Sequence, residues 1–122
     1  MAIIIRYLVV RLLVSGKKWN QGLVEVFFNE SWGTVCDNEW DLKDANIVCR
    51  QLGYGRAVTA PKNAAFGRGQ GKISMTNVRC TGNESSITQC AHNGLEKGNC
   101  SHRKDAGAIC ATGKTNALHF FF

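Results

Sequence analysis

Six cysteines in 122 residues constrain this chain more than any other feature. Cys36, Cys49, Cys80, Cys90, Cys100 and Cys110 are an even number, and many for a reducing compartment. None forms the C-x2-C pair of a zinc knuckle, since 12, 30, 9, 9 and 9 residues separate successive cysteines. Disulfides in an oxidising compartment fit better. A domain of this length buries roughly two-thirds of the surface its unfolded form exposes, so it gains from covalent staples. Spacing does not choose the partners. The segment "NCSHRKDAGAIC", residues 99–110, leaves three readings open: a ligand cluster, a catalytic Cys/His pair, or halves of disulfides completed elsewhere.

Fifteen Lys and Arg against nine Asp and Glu give a formal charge of +6, which favours anionic partners. Disulfide chemistry moves those partners outward, from nucleic acid to sulfated glycans, microbial surface polymers or acidic proteins. The opening "MAIIIRYLVVRLLVSG" is apolar but broken by Arg6 and Arg11. It has no basic leader or small-x-small cleavage site, and it is too short to span a bilayer. Its second half reads as a first strand, whereas residues 1–9 are an unexplained apolar segment. The domain is expected over residues 10–111, with 112–122 a tail. The whole reads as a piece of a longer secreted or membrane-anchored protein.

"VEVFF", Val24 to Phe28, reads as a strand, and "NESWGTVC" as a turn and a second strand, giving a hairpin. "DLKDANIVCRQLG" predicts the main helix, with Asp41 as N-cap and Asp44 in the first turn complementing the helix dipole. Leu42, Ala45, Val48, Cys49 and Leu52 form its expected apolar stripe, and Gly53 its left-handed stop. The glycine-rich "GYGRAVTAPKNAAFGRGQGK" reads as a mobile basic loop. "ISMTNVRC" alternates like a half-buried strand, and "NESSITQC" predicts a short helical turn capped by Asn83 or Ser85. "GAIC" reads as a short buried strand. Trp32 and Trp40 are expected in core or edge packing, and Trp19 in a loop.

The blocks "WGTVCDNEWDLKDANIVCRQLG", "NVRCTGNESSITQC", "HNG" and "NCSHRKDAGAIC" together resemble a scavenger receptor cysteine-rich (SRCR) domain, over about Val10 to Cys110. An eight-cysteine class of that family carries an extra bond between positions matching Asn20 and Tyr54, so this chain resembles the six-cysteine class. The resemblance implies an α+β fold, a compact curved β-sheet cradling one main helix. It also implies the pairs Cys36–Cys100, Cys49–Cys110 and Cys80–Cys90. In that pairing neither Cys100 nor Cys110 has a thiolate for catalysis or metal binding, and His102 beside Cys100 is no catalytic base. No enzyme motif appears, and the chain reads as a non-enzyme.

Many relatives coordinate a divalent cation through two consecutive acids after the second-strand cysteine and an acid just before "DAG". Here these positions hold Asp37, Asn38 and Lys104. A second family site pairs an acid before "VRC" with an Asn before the next-to-last cysteine, and this chain has Thr76 and Asn99 there. Calcium wants several hard oxygen ligands, so weak or no Ca2+ binding is expected and no cofactor is required. Direct contact of an anionic ligand with Arg103 and Lys104 would replace the ion, with Arg56, Lys62, Arg68, Lys72 and Arg79 as further candidates. Sequons at Asn29 and Asn83 fit glycosylated turns. The expected function is extracellular recognition of polyanionic or microbial ligands, in the manner of innate-immune scavenger receptors. The alternatives are a protein–protein adhesion module and an accessory domain of a larger protein.

Overall fold

A computed structural model describes residues 9–14, 18–94 and 100–112. The strands are β1 (Val10–Leu13), β2 (Gln21–Phe28), β3 (Ser31–Val35), β4 (Ala57–Thr59), β5 (Lys72–Arg79), β6 (Ala91–Asn93) and β7 (Gly107–Cys110). One α-helix, α1 (Leu42–Gln51), and two 3-10 turns, Ile87–Gln89 and His102–Lys104, complete the elements. The strands form one curved sheet in the order β4-β7-β2-β3-β5-β6, with β1 paired to β2. All pairings are antiparallel except β3 with β5.

Alternation along β2 sorts its side chains onto two faces. Val24 and Val26 turn inward with Val10, Val35, Met75 and Val78, and α1 closes this face with Ala45, Ile47, Val48 and Cys49. Trp40 completes the core at 1 % exposure, its indole N–H donating to the Gly107 carbonyl at 2.9 Å. Each such aliphatic side chain contributes about 1.5–3 kcal/mol by leaving water. Leu23, Glu25 and Phe27 lie on the opposite face, beside Arg11 and Leu13 of β1 and Trp32 and Thr34 of β3.

α1 begins where Asp41 accepts the Asp44 N–H and Asp44 accepts the Asp41 N–H, a complete capping box. Asp44 also accepts the Cys80 N–H at 2.8 Å, tying the helix start to the end of β5. Burial pushes its carboxyl up to about 7, against the pull of the Cys80 and Asp41 N–H groups. Gly53 ends the helix with φ 96°, a conformation that costs glycine nothing. The buried arc differs from the expected stripe. Leu42 is 47 % exposed and Ile47 takes its place, because α1 packs on the sheet and on the Ile87–Gln89 turn at once.

Three disulfides join Cys36 to Cys100, Cys49 to Cys110 and Cys80 to Cys90, the pairs the resemblance implies. The first two span 64 and 61 residues and hold the C-terminal segment against β3 and α1.

Three further expectations are corrected. The glycine-rich segment is not a free loop: it contains β4, and its backbone N–H groups at Asn63, Ala64 and Gly69 bond to Asp37 and Asp105. The short turn is capped by Ser86, which accepts the Thr88 N–H, rather than by Asn83 or Ser85. β5 is also buried at Ile73, Ser74, Met75 and Thr76 in succession, since it lies inside the sheet between β3 and β6.

Candidate functional site

Two buried aspartates organise the surface where the sequence places its candidate ligand residues. Asp37 accepts the Asn63 N–H at 2.7 Å and donates its own N–H to the Lys104 carbonyl. Asp105 accepts the Gly69 N–H at 2.7 Å and the His102 ring at 2.9 Å. Gly69 sits so close over the sheet that a Cβ there would stand 2.4 Å from Thr34 Cγ2. The His102–Lys104 turn is therefore fastened to β3 and to the 62–71 segment by backbone bonds.

His102 is held between two acceptors. Nδ1 faces the Asp105 carboxylate and Nε2 faces the Gly71 carbonyl at 2.9 Å, an arrangement that only the doubly protonated ring satisfies. Burial lowers its pKa and the Arg68 charge adds to that, but the bonds to Gly71 and Asp105 outweigh both and raise it.

Lys104 Nζ donates to Asn38 Oδ1 at 2.6 Å. Arg103 is exposed on the same turn, and Lys62 and Arg68 are exposed on the segment that the aspartates hold beside it. Arg68 is near enough to this turn for its charge to act on His102. Lys72 donates to the Phe28 carbonyl, and Arg79 meets Glu39 at 3.8 Å in an exposed pair worth little. Arg56 flanks β4 at the far edge of the sheet, where its carbonyl accepts the Ala111 N–H.

A family model described as "Scavenger receptor cysteine-rich domain" matches residues 14–111. The chain belongs to this family. The third SRCR domain of murine neurotrypsin is 45% identical, with TM-score 0.76, over 86% of this chain and 97% of that one. The SRCR domain of mouse MARCO, in its dimeric form, is 41% identical, with TM-score 0.68, over 82% of this chain and 94% of that one. Galectin-3-binding protein of Pongo abelii is 50% identical over 107 residues, 88% of this chain but 18% of that protein. The chain thus spans under a fifth of that curated relative's length.

Against the cation sites of other SRCR domains, the donor set here does not fit a divalent ion. Asp37 is the one carboxylate of the three residues the resemblance points to, and the Asn38 oxygen takes the Lys104 ammonium instead of an ion. At the second position the Thr76 hydroxyl donates to Asn77 Oδ1 at 3.1 Å. Asn99 lies outside the described residues. Cys80, Glu84 and Cys90 converge, but the two sulfurs are bonded to each other and Glu84 accepts the Thr81 and Gly82 N–H groups.

Sequence reasoning passed over Glu25. It is 6 % exposed, and Arg11 donates to its Oε1 through both Nε and Nη2 at 2.9 and 2.8 Å. A lone acid inside "VEVFF" signals the outward face of a strand, but its partner depends on the β1–β2 register, which no local pattern displays. Asn29 and Asn83 are exposed, one in the β2–β3 turn and one ahead of the Ile87–Gln89 turn.

Proposed function

We propose that this SRCR domain is an extracellular recognition module of the six-cysteine class that binds polyanions directly through Lys62, Arg68, Arg103 and Lys104. The observation that carries this is the Lys104 ammonium on Asn38, which puts a fixed cation where relatives place an ion to bridge anionic ligands. Exposed sequons at Asn29 and Asn83 support an extracellular setting and are proposed as glycosylation sites. At the positions of the extra bond of the eight-cysteine class, Asn20 donates to the Cys110 carbonyl and Tyr54 stacks on Trp19. A non-enzymatic role is part of this reading, in which the six cysteines serve as disulfides and both His102 ring nitrogens are engaged by Asp105 and Gly71.

A protein partner is the second reading, favoured by relatives named for binding galectin-3. It predicts stoichiometric, salt-tolerant binding, whereas charge-dominated binding weakens as ions screen it. Heparin and dextran sulfate affinity is to be measured against salt for the oxidised protein and for Arg103→Glu and Lys62→Glu. The proposal expects steep salt dependence and a loss of about tenfold or more per reversal, roughly 1.4 kcal/mol. Salt-insensitive binding, or reversals without effect, contradicts it.

A further inference from the structure

A groove of ≈ 410 Å3 opens on the sheet's outer face, between the end of β1 and the segment carrying Arg68. Leu13, Val14 and Phe66 line its apolar part, and Glu25, Arg68 and Gln70 supply the polar groups. Leu13 and Val14 are 40 % and 46 % exposed, so a sizeable apolar area is left to solvent here. Phe66 packs on Gly107 so closely that a Cβ there would stand 2.7 Å from its ring.

Glu25 decides what this groove can take. Arg11 occupies Oε1 alone, and no described residue donates to Oε2. Ser74 Oγ is the one fully occluded side-chain polar atom without a partner among the described residues, so Glu25 Oε2 is open to the groove rather than sealed. A nearly buried carboxylate oxygen with no donor requires a hydroxyl, an N–H or water from outside. A cationic ligand is disfavoured, since Arg11 already neutralises Glu25 and Arg68 leaves the groove positive. The complementary ligand carries an anionic group for Arg68, hydroxyls for Glu25 and an apolar face for Leu13, Val14 and Phe66.

The geometry points to a subsite for one uronic-acid unit of an acidic polysaccharide, its carboxylate on Arg68, a ring hydroxyl on Glu25 Oε2 and its ring face on the apolar wall. The subsite shares Arg68 with the basic surface and rests on the polyanion reading. It adds to charge attraction a selection for sugar.

Affinities for heparin, which contains uronate, and for polyphosphate, which has charge but no sugar, separate the two. Wild type, Glu25→Gln and Val14→Trp are to be compared at fixed salt. Val14→Trp fills the groove at an exposed position without changing charge, so it remains informative should Glu25→Gln fail to fold. The expected result is a fall of about tenfold in the heparin-to-polyphosphate affinity ratio for each variant, the scale of one hydrogen bond to a charged group. If both polymers bind and neither variant moves the ratio, the sugar subsite is wrong and the basic surface stands. If neither polymer binds wild type, the polyanion reading fails and the subsite with it.

Discussion

Lys104 Nζ stands 2.6 Å from Asn38 Oδ1, so an ammonium and an amide oxygen make a direct contact next to the buried Asp37. The contact leaves the backbone independent of both side chains, because the Asp37 N–H donates to the Lys104 carbonyl.

Restoring the acids should restore the ion. The double variant Asn38→Asp, Lys104→Glu is predicted to bind Ca2+ with Kd on the order of 10⁻⁴–10⁻³ M, the range of extracellular sites. Isothermal titration should give no comparable heat with wild type. Equal Ca2+ affinity in wild type would refute the assignment of Lys104 as the ion's replacement.

The disulfides should rank by the loops they close. Replacing Cys49 and Cys110 together by Ala opens a separation of 61 residues and is expected to cost about 4 kcal/mol. Removing Cys80 and Cys90, 10 apart, should cost nearer 3 kcal/mol. Urea titration measures both, and the reverse order would show that packing around the sulfurs outweighs chain entropy.

Asp41→Ala removes the acceptor for the Asp44 N–H at the start of α1. A loss of about 1 kcal/mol in unfolding free energy is expected, with Asp41→Ser recovering most of it. A neutral Asp41→Ala would mean that the disulfides alone fix the helix start.

Stability should fall as pH rises from about 3.8 through neutrality. Asp44 is raised in the folded state from 3.8 to about 7, so its contribution declines over that window. His102 is raised from its ordinary 6.5, so its contribution is complete below 6.5 and is lost as pH climbs through the folded value. Carboxyl and imidazole NMR titrations locate both midpoints. In His102→Gln the decline above about pH 6.5 should shrink to the share of Asp44, whose folded value is about 7, and a profile unchanged by that variant would place the pH dependence elsewhere.

Much of the frame was legible from local pattern: the hairpin after Gly22, the capped helix from Asp41, the glycine stop at Gly53 and the buried "GAIC" strand. These depend on periodicity and on residues whose backbone preferences act over one turn. The disulfide partners were not legible from spacing and came from resemblance. Misread features share one cause, which is contact between parts distant in sequence. Ile47 displaces Leu42 because a second element packs on α1, and the glycine-rich segment is tethered because Asp37 and Asp105 reach it across 26 and 36 residues. Of seven cations named from sequence, Lys72 and Arg79 are engaged by the Phe28 carbonyl and by Glu39, partners that sheet order rather than spacing supplies.

Heparin binding by the oxidised protein, measured first in millimolar calcium and then in excess chelator, tests the central claim most directly. Direct recognition by Lys104 and its neighbours predicts the same affinity in both, fading as salt is added. Binding that vanishes with chelator would mean that an ion bridges the ligand despite Asn38 and Lys104, and would contradict the account.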